Sequence, residues 1–191
     1  VKPIQVEREI FRYEQGAFKH IEDSIVTEFP VTIKMNGQEF VTMVSTPEYI
    51  EDMVIGFLAS EGIIRKYEDI DDIWVQEKEG FVHVKTTKVN PYYEQMQNKR
   101  YITSCCGMSR QGFVFANDAL SAKTMNGVHV QVTAEDCFRL MKEMQQSAET
   151  FRHTGGVHNA SLCDVNDIIL SRMDIGRHNA LTIDFRQVLK K

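Results

Sequence analysis

Val31-Thr32-Ile33-Lys34-Met35-Asn36-Gly37-Gln38-Glu39-Phe40-Val41-Thr42-Met43-Val44 decides how the first half of this chain folds. Apolar and polar residues alternate on both sides of Asn36-Gly37, and that dipeptide accepts the positive φ angles of a type I′ turn. The stretch predicts a β-hairpin. Just beyond it, Thr46 suits a helix cap and Pro47 a first helical position, while Glu48, Glu51 and Asp52 favour a helix's positive end. Ile50, Met53, Val54, Phe57 and Leu58 recur at spacings of three and four, so a helix with one buried face is expected, stopping at Gly62.

Upstream, Val1 to Thr27 mixes charge and aromatics without clear periodicity and reads as a short strand or two plus an arm. Downstream, Ile73 to Gln76 and Phe81 to Thr86 read as strands around Glu77-Lys78-Glu79-Gly80, and Asn90 to Arg100 as a polar loop. A helix is expected from about Ser109 to Leu120, and Val128 to Val132 reads as a strand. Thr133 then caps a helix with Glu135 and Asp136 in its first turn and Cys137, Leu140, Met141 and Met144 on one face. Val157 to Cys163 and Ile168 to Arg172 form two strands around Asp164-Val165-Asn166-Asp167, and Gly176-Arg177-His178-Asn179-Ala180 begins something helical. A boundary near Gly127 would divide an α+β region, residues 1–127, from an α/β region, residues 128–191.

Composition bounds the function. With 42% hydrophobic and 26% charged residues, the 191-residue chain is an ordinary globular protein with a real core. A net charge of −5 argues against a nucleic-acid-binding surface. No apolar run reaches the roughly 18 residues of a membrane span. Four cysteines in a chain this size do not make a disulfide scaffold, which points to the reducing cytoplasm.

The chemistry centres on Thr103-Ser104-Cys105-Cys106-Gly107-Met108-Ser109-Arg110. Two adjacent thiols precede an expected helix start, where amide N–H groups and the helix dipole favour a thiolate. The alternative for Cys106 is a buried, apolar thiol. Cys137 belongs on the apolar face of its helix and is expected in the core, and Cys163, at a strand end, is structural. Gly155-Gly156 before His158 would let backbone come close to a ligand or a neighbouring element. Arg177 and His178 beside Gly176 suit an anion such as phosphate or pyrophosphate. Backbone hydrogen bonds that satisfy each histidine are the plainer alternative. Thr154 and Asn179 could add hydrogen bonds, and Asp174 would orient Arg177.

Taken in order, Asn36-Gly37, Thr46-Pro47 with Glu51-Asp52 and Gly56-Phe57-Leu58, Glu61-Gly62-Ile63-Ile64, Ser104 to Gly107, Thr154-Gly155-Gly156-Val157-His158 and Asp174 to Ala180 resemble the formate dehydrogenase accessory sulfurtransferase family, FdhD. The resemblance covers most of the chain. It implies a protein that takes sulfur from a cysteine desulfurase as a cysteine persulfide. The sulfur passes to the molybdenum bis(molybdopterin guanine dinucleotide) cofactor, a bound substrate, for formate dehydrogenase. The family's Cys-Gly-x-Cys loop matches Cys106-Gly107-Met108-Ser109, which makes Cys106 the persulfide carrier. Ser109 stands at the second family cysteine, so any second thiol would be Cys105. Thr154, Gly155, Gly156, His158, Arg177, His178 and Asn179 become the candidate cofactor-binding residues.

The family fold implies a cytidine deaminase-like three-layer α/β/α core with a mixed sheet. The order helix, strand, strand, helix after Thr133 follows its opening half. The family continues past the Gly-Arg-His-Asn-Ala motif with a substantial C-terminal region, whereas this chain runs Leu181-Thr182-Ile183 and stops at Lys191. Missing sequence or a partner that completes the sheet is therefore expected, and a homodimer is favoured. No metal of its own is implied. Two other functions remain in view: a cofactor-holding chaperone without transfer activity, and a zinc-dependent deaminase-like hydrolase. The second lacks the Cys-x-x-Cys pair that such a zinc site uses.

Overall fold

A computed structural model of the chain describes residues 2–87, 100–102 and 126–183. Cys105, Cys106, most of the expected loop from Asn90, and the expected helix from Ser109 lie outside these residues.

The predicted hairpin forms from β3 (Phe29–Met35) and β4 (Gln38–Ser45). Asn36 and Gly37 take φ angles of 49° and 85°, the left-handed pair that a two-residue turn requires. The strands pair antiparallel from Phe29↔Ser45 to Met35↔Gln38, with an irregularity between Ile33 and Lys34. Alternation carries Val31, Ile33 and Met35 to one face, where all three are fully buried. With β5 (Asp72–Gln76), β6 (Phe81–Lys85) and β7 (Arg100–Ile102), the hairpin builds a five-stranded sheet in the order β5-β6-β3-β4-β7. The sheet is mixed: β3 pairs parallel with β6, and β4 parallel with β7.

One helix, α1 (Ile50–Ser60), belongs to the same core: Met53, Val54, Ile55 and Leu58 are fully buried in one cluster with Val31, Ile33, Met35, Val82 and Val84. Burial of each such side chain contributes on the order of 1.5–3 kcal/mol, which makes this cluster the main stabilising element of residues 29–85. The helix ends as expected at Gly62, whose N–H bonds Ala59 O at 3.0 Å while Ile63 N–H bonds Leu58 O at 2.9 Å. That pair of bonds is a Schellman motif, with Ile63 and Leu58 both buried in the core cluster.

Its start differs from the sequence reading. The helix begins at Ile50, and the residue before its first turn is Tyr49, at φ 53° and with no capping side chain. Thr46 is not the cap, because its N–H and hydroxyl are both taken by Asp174.

The N-terminal residues also differ from the expected short strands and arm. Gln5–Glu14 (β1) and Ala17–Val26 (β2) pair over ten residues each around Gln15-Gly16. This ribbon is held by cross-strand contacts rather than by burial. Tyr13 and Phe18 rings sit 5.1 Å apart, Phe11 and His20 4.9 Å apart, and Arg12 reaches Asp23 at 3.1 Å.

The last third contains α2 (Ala134–Ser147), α3 (Glu149–Thr154), β8 (His158–Cys163), β9 (Ile168–Asp174) and α4 (Arg177–Ile183). Thr133 caps α2 as predicted, in a capping box with Asp136. Strands β8 and β9 pair antiparallel as a separate two-stranded sheet, and Asp164 closes the turn by accepting the N–H groups of Asn166 and Asp167.

Two expectations fail here. Residues 128–132 form no strand, and Val128, Val130 and Val132 are exposed; their alternation finds no partner among the described residues. Cys137 is exposed rather than core, because α2 buries none of its residues and, of its apolar side chains, turns only Leu140 and Met144 part-way inward. Cys163 is half-buried at the end of β8, its thiol directed at Ser161 O.

Candidate functional site

The last residue of β9 is the centre of the site. Asp174 is completely buried, and its two carboxylate oxygens accept four hydrogen bonds. Oδ2 takes the Thr46 N–H at 2.8 Å and the Thr46 hydroxyl at 2.9 Å. Oδ1 takes the Gly176 N–H at 2.7 Å and the Asn179 side-chain amide at 2.8 Å. The Asn179 amide also donates to Val44 O at 2.9 Å. One carboxylate thus joins the end of β4, the turn after β9 and the first turn of α4. Burial, the largest influence, holds Asp174 above the ordinary carboxylate range, and the four donated bonds oppose it.

A second polar contact lies two residues earlier on the same face of β9. Arg172 reaches Asp52 of α1 at 3.5 Å, lies 4.3 Å from the Tyr49 ring centre and donates to Ser171 O at 2.9 Å. Its Nε is buried without a hydrogen-bond partner among the described residues. Burial also pushes the Glu48 carboxyl upward, against a hydrogen bond from Tyr49 and the charge of Arg172. Tyr49 therefore stands between a guanidinium and a half-buried carboxyl, in a left-handed conformation that side chains other than glycine adopt at a cost.

The motif residues fall around this centre. His158 is the register partner of Asp174 across the β8–β9 pair and is exposed. It borders an open, mostly apolar cleft lined also by Met144, Ala148, Phe151 and Val157. Arg177 and His178 are exposed in the first turn of α4, a helix of seven residues, whereas Asn179 is buried against Asp174. Asn179 is thus spent on the protein's own backbone and carboxylate. Thr154 is spent locally too: its hydroxyl donates to Thr150 O at 2.7 Å and accepts from Gly156 N–H at 3.1 Å. Gly155 closes α3, and Gly156 passes so close to β2 that a Cβ would stand 2.7 Å from Val26 Cγ1. Asp174 makes its direct bonds to Thr46, Gly176 and Asn179, so any orienting of Arg177 runs through the first turn of α4.

Strand β7 pairs parallel with β4, Ile102 opposite Met43, so both strands run toward one end of the sheet. At that end lie Val44 and Thr46, the two residues bound by Asn179 and Asp174, and Ile102 precedes Cys105 and Cys106 by three and four residues in the sequence. Sequence reasoning missed Val44, Thr46, Tyr49 and Arg172. Only the Asp-x-Gly spacing at 174–176 signalled a local turn. Among the described residues no group of three or more His, Cys, Asp or Glu side chains is gathered closely enough to hold a metal ion, and no helix is long and apolar enough to cross a membrane.

Comparison with known proteins is consistent along nearly the whole chain. Residues 26–182 match the model of the FdhD/NarQ family. The chain is 50% identical over 181 residues to the sulfur carrier protein FdhD of Shouchella clausii (strain KSM-K16), covering 94% of this chain and 68% of that one. It is 51% identical over 174 residues to the protein of the same name from Listeria monocytogenes serotype 4b (strain F2365), covering 91% and 67%. With the Bacillus subtilis (strain 168) sulfur carrier protein FdhD the identity is 50% over 174 residues, covering 91% and 66%. The chain thus spans about two thirds of the length of these relatives. In fold it resembles the crystal structure of a Desulfotalea psychrophila protein described as a formate dehydrogenase accessory protein, with a TM-score of 0.72 at 19% identity, covering 98% of this chain and 69% of that one. On the strength of the family model and of relatives at half identity, the chain belongs to the FdhD/NarQ family.

Proposed function

We propose that this protein is a sulfur carrier that takes sulfur from a cysteine desulfurase as a persulfide on Cys106. It delivers that sulfur to the molybdenum bis(molybdopterin guanine dinucleotide) cofactor, its bound substrate, before the cofactor enters formate dehydrogenase. Relatives named sulfur carrier protein FdhD at about half identity support the sulfur-transfer role. The observation that supports the site assignment is that Ile102, four residues before Cys106 in sequence, pairs with Met43 next to the Val44–Thr46 backbone that Asn179 and Asp174 bind. Cys106 follows Ile102 by four residues, a backbone reach of at most about 14 Å.

The chemistry needs one thiolate. Cys106 sulfur attacks the outer sulfur of the desulfurase persulfide, a new S–S bond forms, the old one breaks, and the desulfurase cysteine leaves as its thiolate. No oxidant is consumed, because the sulfane atom only changes carrier. Arg177 and His178 are the exposed groups that would receive the anionic part of the cofactor, His158 would border it, and Thr154, Gly155, Gly156 and Asn179 would shape the surrounding backbone. Cys105 is an auxiliary thiol at most.

Mass spectrometry of the protein after incubation with a cysteine desulfurase and cysteine tests the reading. One added sulfur atom on Cys106, absent in Cys106→Ala and retained in Cys105→Ala, is the expected result. Equal loading of wild type and Cys106→Ala would overturn it, and no loading of either would leave a protein that only holds the cofactor.

A further inference from the structure

We propose that Asp174 is a positioning residue of the sulfur-delivery site. In this role it sets the first turn of α4, with Arg177 and His178, against the strand end from which the chain runs to the cysteines. The inference rests on the carrier reading of Cys106 and deepens it.

The geometry is specific. A carboxylate at a strand end satisfies its own turn with one bond, here from Gly176 N–H in the turn between β9 and α4. The other three bonds reach beyond the turn itself. Two reach 128 residues back along the chain to Thr46, and the third fixes the Asn179 side chain, which then binds Val44 O. Val44 follows Met43, the residue paired with Ile102, so the held backbone is the neighbour of the last described residue before the cysteines. The carboxylate and amide thus tie two segments together: the end of β4, beside Ile102 of β7, and the first turn of α4 with its exposed cations, through Gly176 and Asn179.

A second feature separates positioning from bulk stabilisation. Apolar burial already joins these parts, since Ala180 of α4 is buried and α4 packs against α1. Burial of the carboxylate opposes the bonds it makes, so its net gain over a neutral side chain of the same shape is small, even though deleting it outright would strand its donors. What four directed bonds supply is orientation, and misplacement of reacting groups by about 1 Å can cost on the order of a hundred-fold in rate.

The test measures loading and delivery separately. Loading is the added sulfur on Cys106 after incubation with a cysteine desulfurase and cysteine, read by mass spectrometry. Delivery is the formate dehydrogenase activity recovered in cells whose own carrier has been deleted. Asp174→Asn, which keeps the shape but turns an acceptor into a donor, is expected to load as wild type and to deliver at least about ten-fold less. Thr46→Val should show the same split more weakly, and Thr46→Ser, which keeps the hydroxyl, should restore delivery. Should Asp174→Asn fail to fold, Thr46→Val against Thr46→Ser carries the test. Parallel loss of loading and delivery, tracking thermal stability, would assign Asp174 to structure alone and overturn the proposal. Unchanged delivery by a folded Asp174→Asn or Thr46→Val protein would do the same. A wild type that takes up no sulfur would instead refute the carrier reading itself.

Discussion

Replacing Asp174 with alanine removes the acceptor for four buried donors at once, and the structure sets the size of the effect. The Asn179 amide keeps Val44 O, and the Thr46 hydroxyl is free to rotate toward another acceptor. The backbone N–H groups of Thr46 and Gly176 have no such recourse, since both lose a bond of 2.8 Å or 2.7 Å in a buried setting. An orphaned buried donor costs about 1–3 kcal/mol, so two cost about 2–6. Relief of the buried charge and entry of a water into the vacated space offset part of this. The net expectation is a loss of about 2–4 kcal/mol. Urea unfolding followed by circular dichroism, with exposed Glu39→Ala as a control expected within about 0.5 kcal/mol of wild type, measures it. Asp174→Ala and Thr46→Val should be strongly non-additive, because they delete partners of one another. A loss below about 1 kcal/mol, or simple additivity with Thr46→Val, would show that Asp174 does not hold Thr46 in solution.

The stability difference between wild type and Asp174→Asn should depend on pH in a direction fixed by burial. Asp174 is held above the ordinary carboxylate value, so the native state binds its proton more tightly than the unfolded chain. Its contribution is then greatest below about pH 4 and declines as pH rises through the native value, and the wild-type advantage over Asp174→Asn should shrink from about pH 4 upward. An advantage that grows with pH in urea titrations would contradict this. Gly156→Ala places a Cβ 2.7 Å from Val26 Cγ1 and should destabilise by about 1–3 kcal/mol, with Val26→Ala in the same chain relieving much of the loss; no relief would mean that β2 does not pack on this turn. Thr133→Ala removes the cap of α2 and should lower stability by about 1 kcal/mol, a shift readable in the thermal melt and absent in Thr133→Ser.

What could be read from the sequence was what local chemistry dictates. Asn36-Gly37 accepts positive φ between two alternating runs, and the body of α1 follows from apolar spacing; both are in place. So are the Thr133 cap and the turn at Asp164, each closed by a side chain within three residues of its donors. The start of α1 was misread because Thr46-Pro47 satisfies every local rule for a helix start, while the Thr46 donors are claimed by a carboxylate 128 residues away. Competition of that kind leaves no trace in a window of ten residues. Cys137 and the valines at 128, 130 and 132 fail for the opposite reason: their periodicities are right for a buried face, but periodicity names a face and not what covers it. The candidate site divides the same way. Its exposed members, His158, Arg177 and His178, were singled out by residue type and by glycine-rich neighbours. Its organising members, Asp174 with Thr46 and Arg172 with Tyr49 and Asp52, are pairs between distant segments, and neither partner is unusual on its own. A residue such as Asp174, ordinary in sequence yet bonded four times when buried, is therefore where substitution should separate the chemistry of the thiol from the geometry that directs it.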